Sequence, residues 1–149
     1  MNKLNYEYND FLIDIDFIIK EIKKRKWNIK LIYAIPRGGA VMGVFISNIL
    51  DIPVVFSLDS MLEYKKKISA VTQNNEVLEE NILIVDDISD TGGTFFKIPS
   101  VGRYKTVTIF ERINTSFHPD IKCKICNDEW IVFFWETNNG KTERNKTKI

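Results

Sequence analysis

The sequence predicts an α/β protein built on a central, mostly parallel sheet with flanking helices. Three observations carry that reading. Short apolar, β-branched runs at residues 31–35, 54–58, 82–85 and 106–110 have the length and composition of buried strands. Between the first two lies a helix-compatible stretch, residues 41–50, giving a strand–helix–strand unit whose crossover should be right-handed. Finally, two of these strands run directly into loops rich in glycine or acid: Pro36-Arg37-Gly38-Gly39, and the segment that starts at Asp86. In parallel sheets, ligands bind outside the carboxyl ends of the strands.

Taken in chain order, Phe11, Leu12, Ile15, Ile18, Ile19 and Ile22 recur at steps of three and four, which predicts a helix over residues 9–26 with one apolar face. Lys23 to Lys26 crowd its C-terminal end, where cations suit the helix dipole. The first strand, helix and second strand follow, with Asp51-Ile52-Pro53 as the turn that closes the helix. Residues 59–80 show no sustained period, and read as a mobile functional segment or an excursion with short strands of its own. The strand at 82–85 precedes a short helix ending near residues 99–102, and the strand at 106–110 follows. Residues 121–125 and 130–135 read as edge strands. No repeat or linker divides the chain, so residues 1–136 form one domain, and residues 137–149, nearly devoid of apolar side chains, form a polar tail.

Bulk composition excludes several classes. The 149 residues suffice for one core, and 44% hydrophobic with 28% charged residues is ordinary for a globular protein. Lys and Arg number 21 against 20 for Asp and Glu, so no strongly basic face for nucleic acid is expected. No apolar stretch is long enough to span a membrane, and the polar, acidic first ten residues lack the order of a secretory signal. A cytoplasmic location is the expectation. Cys123 and Cys126 are spaced like a zinc half-site or redox pair, yet only His118 lies near enough to be a third ligand. Alternation through residues 121–125 instead places Cys123 on the face of Ile121 and Ile125 and Cys126 on the other, one core residue and one incidental thiol.

The chemistry lies in residues 82–94. A buried strand delivers Asp86 and Asp87 to its carboxyl end, and Asp90 with Thr91-Gly92-Gly93-Thr94 then opens a helix. Glycines let backbone N–H groups approach an anion closely, hydroxyls donate, and a helix start favours negative charge. The acids suit sugar hydroxyls or a Mg²⁺-bound polyol. No Walker loop is present, since its Gly-Lys-Ser/Thr ending is missing, and the glycine spacing does not fit a dinucleotide fingerprint.

The run from Ile84 to Thr94 resembles the 5-phosphoribosyl-1-pyrophosphate (PRPP) motif of type I phosphoribosyltransferases, and Pro36-Arg37-Gly38-Gly39 resembles that family's pyrophosphate loop. The likeness is nearest to bacterial xanthine–guanine phosphoribosyltransferase. Val107 to Arg112 is similar to the strand whose following basic residue holds the 6-oxo group of the base, and Asp128-Glu129-Trp130-Ile131 is similar to the C-terminal hood that stacks on the purine. The family's usual residue at the Arg112 place is lysine; arginine donates as a planar fork instead of a point charge.

The resemblance implies the type I phosphoribosyltransferase fold, with the hood within about residues 111–136. It implies transfer of ribose-5-phosphate from PRPP to a 6-oxopurine such as guanine, xanthine or hypoxanthine, with release of pyrophosphate. Arg37, Gly38 and Gly39 would meet the pyrophosphate, Asp86 and Asp87 the ribose, and Asp90, Thr91, Gly92, Gly93 and Thr94 the 5-phosphate. Asp90 would also serve as general base. Arg112, Trp130 and backbone around Ile131 would hold the base. The implied cofactor is Mg²⁺, carried mainly by PRPP, with Asp86 and Asp87 as indirect metal residues. Residues 60–67 are the expected lid, with Lys65 to Lys67 within reach of the pyrophosphate. A homodimer or homotetramer is expected on the same grounds. Two alternatives stay open: another acceptor (nicotinamide, a deazapurine, a pyrimidine) and a PRPP-binding regulator without chemistry.

Overall fold

The structure, a computed structural model, describes residues 2–71 and 77–136. The polar tail lies outside them. Its elements run β1 (Lys3–Tyr6), α1 (Tyr8–Lys24), β2 (Leu31–Ala34), α2 (Gly38–Leu50), β3 (Val54–Val55), α3 (Leu58–Val71), β4 (Ile82–Ser89), α4 (Gly93–Phe96), β5 (Lys105–Arg112), β6 (Ile121–Cys126) and β7 (Trp130–Phe133). Five strands form one sheet in the order β3-β2-β4-β5-β6. Every neighbouring pair is parallel. The expected α/β fold with a flanked parallel sheet is what the chain adopts. Among the described residues, no helix is long and apolar enough to cross a membrane.

Successive residues of β2 and β4 point to opposite faces, so one sheet feeds two cores. Ile32, Ala34, Leu83 and Val85 join Phe11, Ile18, Met42 and Ile46 on the side of α1 and α2. Leu31, Tyr33, Ile82 and Ile84 join Met61, Phe95 and Tyr104 on the side of α3 and α4. Burial on both faces is why these strands are continuously apolar instead of alternating.

The first helix buries Phe11, Ile15, Ile18, Ile19 and Ile22 as its period requires. Leu12, counted on that face in the sequence, is 41% exposed, and Asp14 is buried in its stead. Asp14 accepts hydrogen bonds from the Tyr6 hydroxyl at 2.7 Å and the Lys124 ammonium at 2.5 Å, so one buried carboxylate joins β1, α1 and β6.

Several boundaries differ from the sequence expectation. No element is expected before residue 9, but residues 3–6 form β1, which pairs in parallel with β7 in a separate two-stranded sheet. Tyr6 is the reason: it is buried edge-on against Phe110 and Phe133, at ring distances of 5.3 and 5.7 Å. The run at 54–58 yields only a two-residue strand, because Leu58 already begins α3. Of the segment 59–80, expected to be mobile or to carry short strands, residues 59–71 belong to the helix α3, whose Leu58, Met61, Tyr64 and Ile68 face the second core, and residues 72–76 lie outside the described ones. One apolar side chain per turn suffices, since Met61 is fully buried. The two thiols also depart from expectation. Cys126 is the buried one at 4% exposure, Cys123 packs partly against the same core, and Ile125 is 61% exposed at the sheet edge. Both thiols are free.

Candidate functional site

Two loops meet at the carboxyl ends of β2 and β4. After β2, Ile35 N–H donates to the Val85 carbonyl at 2.8 Å, and Gly39 N–H donates back to the Ile35 carbonyl at 2.8 Å. The Pro36–Arg37 peptide is cis, Arg37 is exposed, and α2 begins at Gly38, three residues earlier than its apolar run suggested. A methyl group on Gly38 would overlap the Asp87 carboxylate, and one on Gly39 would overlap the Val85 carbonyl. Both glycines are therefore needed for one loop to lie against the other. That contact brings Gly38 against the Asp87 carboxylate and Gly39 against the Val85–Asp86 backbone.

The strand β4 continues past Val85 through both acids to Ser89. Asp86 is 8% exposed, and its Oδ1 accepts a hydrogen bond from Asp87 N–H at 2.9 Å. Burial, reinforced by the charge on Asp87, pushes the Asp86 carboxyl up to about 8. Burial pushes Asp87 up as well, with the Glu136 carboxylate adding to it. Two adjacent carboxylates, one buried and one partly buried, call for a cation or for hydroxyl donors.

Asp90 to Thr94 then turn away from the sheet. Gly92 sits at φ +92°, and Thr91 Oγ1 accepts from Gly93 N–H at 3.2 Å. A cavity of about 170 Å³ is lined by the whole run from Asp86 to Phe95. The run is backed by residues the sequence motifs did not single out. Ser89 Oγ, 1% exposed, donates to the Phe117 carbonyl at 2.7 Å and lies 3.0 Å from Thr115 Oγ1. Ser116 N–H donates to the Thr91 carbonyl at 3.1 Å, and Phe117 stacks on Phe95 at 4.4 Å while blocking any side chain at Gly92. No motif signals this backing, because its partners lie more than twenty residues away in the chain.

A second, wider cavity of about 590 Å³ is lined by Asp90, Arg112, Ile113, Asn114, Asn127, Asp128 and Trp130. Asp90 lines both cavities. Arg112 Nε donates to Asp90 Oδ1 at 2.7 Å, and Trp130 is 41% exposed at the rim. Ile131 behaves differently: its side chain is 6% exposed in the first core, and its backbone pairs with Leu4 of β1. The expected lid, residues 60–67, lies within α3, where Met61 is buried and Lys65 pairs with Glu79 at 3.1 Å. A helix pinned to the sheet face by its buried residue does not form an open loop.

The family can now be read from the whole chain. The Phosphoribosyl transferase domain matches residues 5–139. The chain belongs to the phosphoribosyltransferase family. Solved phosphoribosyltransferases share its fold. A purine phosphoribosyltransferase from Pyrococcus horikoshii is 23% identical, with a TM-score of 0.69 over 92% of this chain and 95% of that one. A Helicobacter pylori xanthine–guanine–hypoxanthine phosphoribosyltransferase is 20% identical, with a TM-score of 0.69 over 96% and 98%. A Neisseria gonorrhoeae protein solved with bound ppGpp is 17% identical, with a TM-score of 0.66 over 97% and 94%. No curated protein matches the sequence closely.

For the metal that this phosphoribosyltransferase family implies, the donor set is a partial one. Among the described residues, no group of three or more His, Cys, Asp or Glu side chains forms a metal-holding cluster. Asp86 and Asp87 are hard oxygen donors, the first buried and the second partly so, which suits Mg²⁺ that keeps waters and arrives bound to substrate phosphates.

Proposed function

We propose that this phosphoribosyltransferase transfers ribose-5-phosphate from PRPP to a 6-oxopurine base and releases pyrophosphate. The observation that carries the reading is Asp90, which lines both the phosphate-loop cavity and the wider cavity beside Trp130. A group in that position reaches a sugar phosphate on one side and a base on the other.

The roles proposed here are those the resemblance implies, set on the positions these residues hold. In the reaction a ring nitrogen of the base forms a bond to C1 of the ribose as the C1–O bond to pyrophosphate breaks. Exposed Arg37 and the amides at Gly38 and Gly39 bind the departing pyrophosphate. Asp86 and Asp87 fix the ribose hydroxyls. Thr91 to Thr94 hold the 5-phosphate through backbone N–H groups and the Thr91 and Thr94 hydroxyls. Asp90 accepts the proton released by the base. Trp130 stacks on the purine, while Arg112 and backbone near Ile131 recognise its polar edge. Asp86 and Asp87 would meet, indirectly, a Mg²⁺ carried mainly by PRPP, which would supply charge neutralisation for the pyrophosphate. Arginine at position 112 favours a carbonyl-bearing acceptor over the amino group of adenine. A cytoplasmic location and a dimer or tetramer belong to the same reading.

The test is pyrophosphate release from PRPP and Mg²⁺ with guanine, xanthine, hypoxanthine, adenine and nicotinamide, for wild type and Asp90→Asn. Turnover with one oxopurine, lowered at least about tenfold in the variant, is the expected result. PRPP binding with no turnover on any of these bases overturns the oxopurine reading and leaves a PRPP sensor or an enzyme with an unusual acceptor.

A further inference from the structure

We propose that Arg112 is a positioning residue that locks the hood over the base to the phosphate loop, so that PRPP binding on one side orders the base pocket on the other. This rests on the phosphoribosyl-transfer reading and assigns Arg112 a task beyond contact with the base.

The side chain of Arg112 is 20% exposed and spans two separate loops. Nε donates to Asp90 Oδ1 at 2.7 Å, on the phosphate loop. Nη1 donates to the Asn127 carbonyl at 2.6 Å and to the Glu129 carbonyl at 2.9 Å, both on the turn before β7. Cys126 Sγ lies 3.9 Å from the same nitrogen. The turn itself is closed by Asn127 N–H donating to Glu129 Oε2 at 2.7 Å, which holds both carbonyls towards one donor. Three of the five guanidinium donors are thus spent inside the protein, and Nη2 carries the other two.

Only a rigid fork can do this. A guanidinium directs its donors in fixed directions within one plane, whereas an ammonium offers a single compact charge on a flexible stem. Lysine at 112 could satisfy Asp90 or the hood carbonyls, not both with this geometry. Because Asp90 and Trp130 line the same cavity, the bridge also sets the width of the pocket between phosphate loop and hood. When the phosphate loop is ordered by a bound 5-phosphate, Asp90 is fixed, and the guanidinium transmits that order to residues 127–130.

The experiment is amide hydrogen exchange on the full chain for wild type, Arg112→Lys and Arg112→Met, each with and without PRPP and Mg²⁺. In the wild type, PRPP is expected to slow exchange both at residues 90–94 and at residues 127–131. In Arg112→Met, it should still slow exchange at 90–94, while protection at 127–131 falls about tenfold or more. Arg112→Lys should lose the transmitted protection as well, despite keeping the charge. Equal PRPP-induced protection of 127–131 in all three proteins overturns the proposal. Absence of any PRPP effect at 90–94 in the wild type overturns the phosphoribosyl-transfer reading instead. The ligand-free arm then still decides the bridge: unchanged exchange at 127–131 in Arg112→Met sinks it.

Discussion

Asp86 and Asp87 sit towards the carboxyl end of β4, where burial works against their charge. The Asp86 carboxyl moves from 3.8 to about 8 because burial and a neighbouring carboxylate disfavour its charge. A folded-state value above the unfolded one means that the native protein binds the extra proton between about pH 4 and pH 8. The stability linked to that proton is fully present below pH 4 and is lost as pH rises towards 8. Asp86→Asn imitates the protonated form and keeps an Oδ1 acceptor for Asp87 N–H. It is expected to be more stable than wild type at pH 8 by about 0.5–2 kcal/mol, with the gap closing by pH 4–5. Urea melts across pH read this directly; a gap that grows on acidification would refute it. PRPP turnover should be lost in the same variant. Gly39 is constrained from the opposite direction, since an added methyl meets the Val85 carbonyl and lies 3.0 Å from Asp86 Cα. Gly39→Ala is expected to cost about 1–3 kcal/mol and to weaken PRPP binding, measured by chemical denaturation and by calorimetric titration.

Among the secondary-structure elements, β1 and α3 are the ones that tertiary packing defines. Four residues cannot form a strand alone; β1 exists because β7 offers an edge and Tyr6 fills a pocket between Phe110 and Phe133. The Tyr6–Asp14–Lys124 cluster then fastens β1 and β6 to α1. Asp14→Ala leaves a buried hydroxyl and a half-exposed ammonium without their acceptor, for an expected loss of about 1–3 kcal/mol in urea denaturation. Tyr6→Phe, which removes one donor and leaves the Lys124–Asp14 pair, should cost less. Helix α3 fixes residues 58–71 to the second core through Met61, so any closure over PRPP must come from elsewhere or require this helix to detach.

At the scale of the whole molecule, residues 36–39, 86–94 and Arg112 lie along one rim of the five-stranded sheet, while Trp130 comes from the separate β1–β7 pair. The strands β2, β4 and β5 all end there, because they are parallel. Residues 36–39, residues 90–94 and Arg112 are successive strand exits brought side by side. A ligand that engages all three should raise global stability and not only order a loop. PRPP with Mg²⁺ at a hundred times its dissociation constant is expected to add about 2.7 kcal/mol, read as a shift of the thermal midpoint. The shift should shrink in Asp86→Asn. No shift with PRPP would count against binding at this rim.

The amino-acid sequence alone determined the parallel α/β frame and both glycine-containing loops. The reason is local: strands buried on both faces are written as short apolar runs, and phosphate loops as small residues directly after them. It also offered Asp86, Asp87, Asp90, Arg112 and Trp130 as candidate site residues; the two adjacent acids and Arg112 lie towards the carboxyl ends of β4 and β5, and Trp130 shares a cavity with Asp90 and Arg112. Tertiary structure decided what no local pattern carries. The strand β1 depends on a partner edge more than 120 residues away. The helix α3 shows one apolar side chain per turn, too thin a period to stand out before the sheet face supplies its other half. The support of the phosphate loop by Ser89, Thr115 and Phe117, and the Arg112 bridge to the hood, are hydrogen bonds between distant segments. Their donors and acceptors are ordinary residues and backbone carbonyls, and only the folded chain gives them a direction.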